Sequence, residues 1–238
     1  MKLPKIEPSY TFIKTKLPSG KTIGCRGWKV RDEKELIFAL DSEENLEEKK
    51  INHIIDFLGK CTDNQKLFME LSEQDLKKVA CEVRKLSKGN TIEYNYQCPH
   101  CNFKMFDTVN LIDSEVVKEL DNTPFEVNED LIVVFKDLSF KETDKLYDLY
   151  KESNAKYTFY SFLASIEGIT YKGETYTGFT LKDVEEFLGE LDSDDLNKLY
   201  KAHEEKTSEW SIERQVKCIQ CKKEVDISYG DLFSFLVF

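Results

Sequence analysis

Two cysteine pairs of identical spacing, Cys98-Pro-His-Cys101 and Cys218-Ile-Gln-Cys221, constrain this chain more than any other feature of its sequence. Each pair interrupts a run with the two-residue period of a β-strand. "GNTIEYNYQ" leads into the first and "KMFDTVNLI" leaves it, and "WSIERQVK" and "KKEVDISYG" flank the second in the same way. A C-x-x-C turn between strands is half of a zinc ribbon, and two such turns can enclose one metal ion in four thiolates. The unusual feature is the insertion of roughly 115 residues between the halves, far beyond the spacing of a compact ribbon.

The same tetrapeptide also supports a redox reading, since Cys-Pro-His-Cys stands in the active sites of strongly oxidising thioredoxin-fold enzymes. That chemistry needs an accessible low-pKa thiol at the start of a helix, whereas the residues after Cys101 alternate as a strand. It also leaves the second pair unexplained. The opening "MKLPKIEPSYTFIKTKLPSGK" has no apolar core of signal-peptide length, and no stretch reaches the roughly 18 apolar residues of a membrane span. The expected compartment is therefore a cytoplasm, where an oxidised pair does not persist. Structural zinc held by Cys98, Cys101, Cys218 and Cys221 is the expectation. Cys25, Cys61 and Cys81 lack ligand spacing and read as buried or half-buried free thiols. His100 reads as a solvent-facing turn residue, and His53 and His203 as surface or edge residues of helices.

The fold class read from the periodicities is α+β: an N-terminal hairpin with helices, split zinc-ribbon hairpins and a mostly helical insertion. Residues 1–87 form the N-terminal region. A hairpin turns on Pro-Ser-Gly, and Asp32, with Glu35 three residues on, is expected to N-cap "EKELIFALDS". Ile51, Ile54, Ile55 and Leu58 mark a second helix that stops at Gly59. Ser72 and Asp75 cap a third, with Leu76, Val79, Ala80, Val83 and Leu86 on one stripe. Residues 88–112 form the first cysteine hairpin. Residues 113–207 are the insertion, in which "LIVVF" at 131–135 and the hairpin "ITYKGETYTG" punctuate helices, and Tyr157, Phe159, Tyr160 and Phe162 are expected to pack in a core. Residues 208–238 hold the second cysteine hairpin and an apolar end, "LFSFLVF", from which Phe233, Phe235 and Phe238 are the candidate partner-binding residues.

The formal charge of −11 and pI near 5.0 work against a bulk grip on phosphates and favour protein partners. A zinc-ribbon adaptor for nucleic acid is the alternative, resting on Lys217, Lys222 and Lys223, with Glu224 and Asp226 diluting that patch. The chain carries no phosphate-binding glycine loop, nucleophile elbow or two-histidine zinc-protease helix, so no enzyme is expected.

In the order "LPKIEPSYTF", "LPSGKTI", "VRDEKELIFALDSE", G-x-x-I-x-Y-x-Y-x-CPHC, "TLKDVEEFLGEL", "VKCIQC" and "DISYGDLFSF", the chain resembles the baseplate hub assembly proteins of T4-like bacteriophages, the gene product 26 group. That resemblance implies a non-enzymatic tail morphogenesis protein. It would act in the host cytoplasm during assembly, or stay in the virion baseplate, with other hub proteins as partners. It also implies that Cys98, Cys101, Cys218 and Cys221 are structural zinc ligands.

Overall fold

A computed structural model gives the architecture of the protein; it describes residues 9–41, 47–229 and 236, with the backbone alone at 47–49. The chain is α+β. β1 (Ile13–Lys16) and β2 (Thr22–Cys25) form an antiparallel hairpin with Ile13 opposite Cys25. Its turn needs Gly20, whose φ of +80° a side chain would resist. In α1 (Val30–Asp41), Asp32 lies inside the first turn instead of capping it. Its carboxylate reaches back to accept the Lys29 N–H at 2.9 Å, the reverse half of a capping box, and binds Arg26 Nη1 at 2.9 Å. Both ionic groups are buried. Arg26 also donates to the carbonyls of Gly27 and Lys60, so one guanidinium ties the hairpin to α1 and to α2 (Glu47–Lys60).

α2 continues through Gly59, where a Cβ would come within 3.2 Å of the Phe68 ring. That glycine therefore permits the close approach of α3 (Gln65–Phe68) and does not end a helix. α4 (Glu73–Lys88) opens on the expected capping box of Ser72 and Asp75. Leu76, Val79, Ala80 and Val83 bury their stripe against Leu17, Ile23, Ile54 and Leu58, and Leu86 lies at its exposed end.

β3 (Thr91–Gln97) and β4 (Lys104–Asn110) form the first cysteine hairpin, followed by β5 (Glu115–Lys118). The insertion is built on an antiparallel sheet as well as helices. Its elements are β6 (Phe125–Asn128), β7 (Leu131–Phe135), α5 (Phe140–Tyr150), α6 (Asn154–Ala164), β8 (Ile166–Tyr171), β9 (Glu174–Thr177), α7 (Leu181–Leu188) and α8 (Ser193–Lys206). The sheet runs β6-β7-β8-β9, and Phe135, Phe162, Leu163, Val184 and Leu199 form a core separate from the N-terminal one. Phe159 and Tyr160 pack against it as expected, whereas Tyr157 meets Tyr147 edge-on.

β10 (Glu209–Lys217) pairs with β5 over Glu209–Ile212 and with β11 (Glu224–Tyr229) over Ile212–Lys217. Trp210 and Ile212 sink into the N-terminal core beneath α4. Above them Glu115 accepts the Trp210 Nε1–H at 2.5 Å and pairs with Lys78, which also binds Glu82 at 2.8 Å.

Replacing Asp32 by alanine leaves Arg26 buried with carbonyl partners alone, and denaturant unfolding at neutral pH should show a loss of about 3 kcal/mol. Burial raises the Asp32 pKa, but the Lys29 N–H and Arg26 outweigh it and hold the carboxyl below its ordinary value. A depressed carboxyl contributes its stability above the unfolded pKa of about 3.9 and loses it as pH falls through the folded value. The gap between wild type and variant should therefore close in acid; a gap unchanged by acid would refute the ionic account.

Candidate metal centre

The two cysteine pairs occupy equivalent turns built by the same backbone bonds. The Cys98 N–H donates to Phe103 O at 2.9 Å and the Asn102 N–H to Cys98 O at 2.8 Å. In the second turn the Cys218 N–H donates to Lys223 O and the Lys222 N–H to Cys218 O, both at 2.9 Å. The fourth residue after each leading cysteine adopts the left-handed conformation, Asn102 at φ 57° and Lys222 at φ 63°. The next residue in each turn, Phe103 or Lys223, then offers its carbonyl to the N–H of the leading cysteine and closes the turn. The equivalence of the two turns is legible in the C-x-x-C spacing; asparagine at 102 is a residue that tolerates the left-handed conformation, whereas lysine at 222 carries no signal for it.

Folding brings all four sulfurs together. Cys98 Sγ lies 3.7 Å from Cys221 Sγ, Cys101 Sγ lies 3.7 Å from Cys218 Sγ, and every pair is within 4.8 Å. Four sulfurs at the usual zinc distance of about 2.3 Å define a tetrahedron with edges of about 3.8 Å. A disulfide needs about 2.05 Å, so the spacing is that of ligands around a cation and not of bonded thiols. Cys98 and Cys218 are buried, Cys221 is half-buried and Cys101 is exposed. Met105 and Val225 pack beneath the cluster, with Tyr96, Phe103, Val216 and Ile227 around them.

The electrostatics are those of sulfurs sharing limited charge. The Cys221 N–H draws the Cys218 pKa down to about 6 against some desolvation, with the Gln220 N–H adding to the effect. At Cys101 the Phe103 N–H draws the pKa down, but desolvation and hydrogen bonds from Cys98, Cys218 and Cys221 push it up to about 12. Thiolates this close oppose one another's ionisation, and a shared cation would offset that repulsion. The donors and spacing fit such a cation. Neither pair stands at a helix N-terminus, so the arrangement offers no thioredoxin-type activation.

The other thiols stay outside the cluster. Burial pushes Cys25 up to about 11, and Cys61 and Cys81 up to about 12, which keeps them inert. His100 is exposed. His203 departs from the surface reading: its ring is half-buried, edge-on to Phe135 at 5.6 Å and to Phe162 at 5.4 Å, and burial lowers its pKa. Phe233, Phe235 and Phe238 lie outside the described residues, although Leu236 of the same stretch is buried in the N-terminal core. Lys217, Lys222 and Lys223 are exposed, alternating with Glu224 and Asp226 around the second knuckle.

Fold and site define an α+β protein in which two distant hairpins meet through four cysteines, a cluster suited to a structural metal. The sequence matches the family model for the T4 bacteriophage base plate protein over residues 9–237, nearly the whole chain, and the protein belongs to that family. Membership makes it a structural or assembly protein of a phage baseplate. Comparison with curated proteins and with solved structures gave no match.

The left-handed site at Lys222 yields a direct test. Lys222→Gly should be neutral or slightly stabilising, while Lys222→Val should lose about 1 to 2 kcal/mol because a β-branched side chain resists positive φ. Equal melting temperatures for the two variants would remove the kink from the account.

Proposed function

We propose that this chain is a non-enzymatic morphogenesis protein of the tail baseplate, a hub assembly factor or hub component that works by binding other baseplate hub proteins. The four-sulfur cluster carries the structural half of the reading: Cys98, Cys101, Cys218 and Cys221 hold zinc, which staples the two hairpins. Family membership supports the baseplate half. The hub, as opposed to another part of the baseplate, follows from the resemblance in the ordered motifs. The protein meets its partners in the host cytoplasm during assembly, and Phe233, Phe235 and Phe238 contribute to the contact. Burial of Leu236 in the N-terminal core supports a role for this stretch as an anchor. Among the described residues no helix is long and apolar enough to cross a membrane.

The metal and the partner are tested separately. Protein purified under reducing conditions should contain one zinc per four-cysteine cluster. Cys98→Ser, Cys221→Ser and chelation should each lower the melting temperature, with little further effect of chelator on either variant. Metal-free folded protein with all four thiols reactive would overturn the zinc assignment.

Affinity purification from infected cells should recover baseplate hub proteins, and virion mass spectrometry separates a retained component from a factor that leaves. Deleting residues 232–238 should abolish that association. Should the deletion preserve both association and melting temperature, the terminal anchor is wrong. Retention on DNA or RNA at physiological salt, weakening steeply as salt rises, would favour the nucleic-acid adaptor instead.

A further inference from the structure

Strand β5 accompanies β10 only as far as Ile212. Beyond it, the same side of β10 meets no strand among the described residues. The groups that face this side follow from the alternation of a strand. The Glu213 N–H donates to Ser114 O at 2.8 Å on the side of β5, and the Cys218 N–H donates to Lys223 O on the side of β11. Gln215 and Lys217 share the parity of Glu213, so their N–H and C=O groups face the open side.

β4 presents a matching edge. The Leu111 N–H bonds Asn90 O at 2.8 Å and Phe103 O accepts the Cys98 N–H, which turns the odd-numbered residues toward β3. Thr108 faces the other way, and its carbonyl accepts Arg214 Nη1 at 2.6 Å. Lys104 and Phe106 therefore direct their backbone groups away from β3. A groove of about 600 Å³ runs between β4 and β10, lined by Lys104, Phe106, Arg214, Gln215, Lys217 and Ile219 among others. The cysteine cluster joins the two hairpins at one end, and Arg214 bridges the other by pairing with Asp107 at 3.2 Å.

The groove's charge runs against that of the molecule. Asp107 is matched by Arg214, whereas exposed Lys104 and Lys217 have no ion pair among the described residues of a chain whose formal charge is −11. Phe106 and Ile219 are 61% and 67% exposed at the rim. Alternating backbone donors and acceptors complement a peptide, while the free carbonyls would oppose a phosphate backbone.

We propose that this groove takes an extended acidic segment of another protein, which adds a strand in the lane that β5 leaves at Ile212. The segment bonds the backbone of Gln215 and Lys217 and sets its carboxylates against Lys104 and Lys217, with the edge of β4 as the opposite wall. This rests on the protein-binding reading above and names the form of the partner.

The test uses the full chain as purified, with a short labelled peptide alternating glutamate and valine as probe. Anisotropy should show binding of this peptide and none of its lysine counterpart. The double variant Lys104→Glu, Lys217→Glu should weaken binding by at least about tenfold with an unchanged melting temperature. N-methylation of alternate peptide amides should abolish it in the phase that meets β10. Equal binding by both N-methylated phases, or no binding by the unmodified peptide, would overturn strand addition; so would oligothymidylate binding at Lys104 and Lys217 in place of the peptide. If baseplate proteins still co-purify with the double variant, the groove assignment falls and the protein-binding reading stands. If none co-purifies with the unaltered chain, that reading itself falls whatever the peptide does.

Discussion

The meeting of Cys98 and Cys101 with Cys218 and Cys221 is the constraint on which the arrangement of the chain depends. Closing a loop of more than a hundred residues costs several kcal/mol of chain entropy. The core beneath the sulfurs is small, with Met105 and Val225 its buried apolar residues apart from the cysteines. Such a patch does not offset that cost alone, whereas coordination of a structural zinc by the four cysteines would contribute on the order of 10 kcal/mol at neutral pH. The closure is also shared. The insertion folds around its own core of Phe135, Phe162, Leu163 and Leu199, so much of the intervening chain is ordered independently of the hairpins.

The baseplate family and the cysteine cluster bear on one another. A protein that works by contact needs a surface held in one geometry, and metal ligation can supply rigidity where a small hairpin pair cannot. The acidic exterior keeps nonspecific association low, which makes a local excess of lysine between β4 and β10 more discriminating than the same residues would be on a basic protein.

Much of this was legible in the sequence because it rests on local chemistry. Ser72 and Asp75 bond across one helical turn, the runs beside each cysteine pair alternate, and "LIVVF" forms β7 as read. The misreadings involve contacts made at a distance. Asp32 has the spacing of a cap, but Arg26 draws it into a buried pair inside the first turn. Gly59 looks like a helix stop, but the Phe68 ring requires the missing side chain. β5 and β6 are short strands defined by their partners, β5 by its pairing with β10 and β6 by its pairing with β7. In the site, spacing picked out the four cysteines that come together, while the approach of the second pair to the first depends on the fold between them.

That approach has a mechanical origin in the polar contact between α4 and β10. Lys78, Glu82 and Glu115 form a largely buried ionic network, and Glu115 also accepts the indole N–H of Trp210. Networks of this kind add little net stability over apolar packing, because desolvation cancels most of the attraction. Their value here is register. A slip of β10 by one residue against β5 would turn Trp210 out of the N-terminal core and take its N–H away from Glu115, leaving that largely buried carboxylate without its indole donor. The same strand runs without interruption from Trp210 to Lys217 and delivers Cys218 directly at its end. The pairing that seats Trp210 under α4 therefore sets how far Cys218 and Cys221 extend toward Cys98 and Cys101. Register at one end of β10 becomes the geometry of the cysteine cluster at the other.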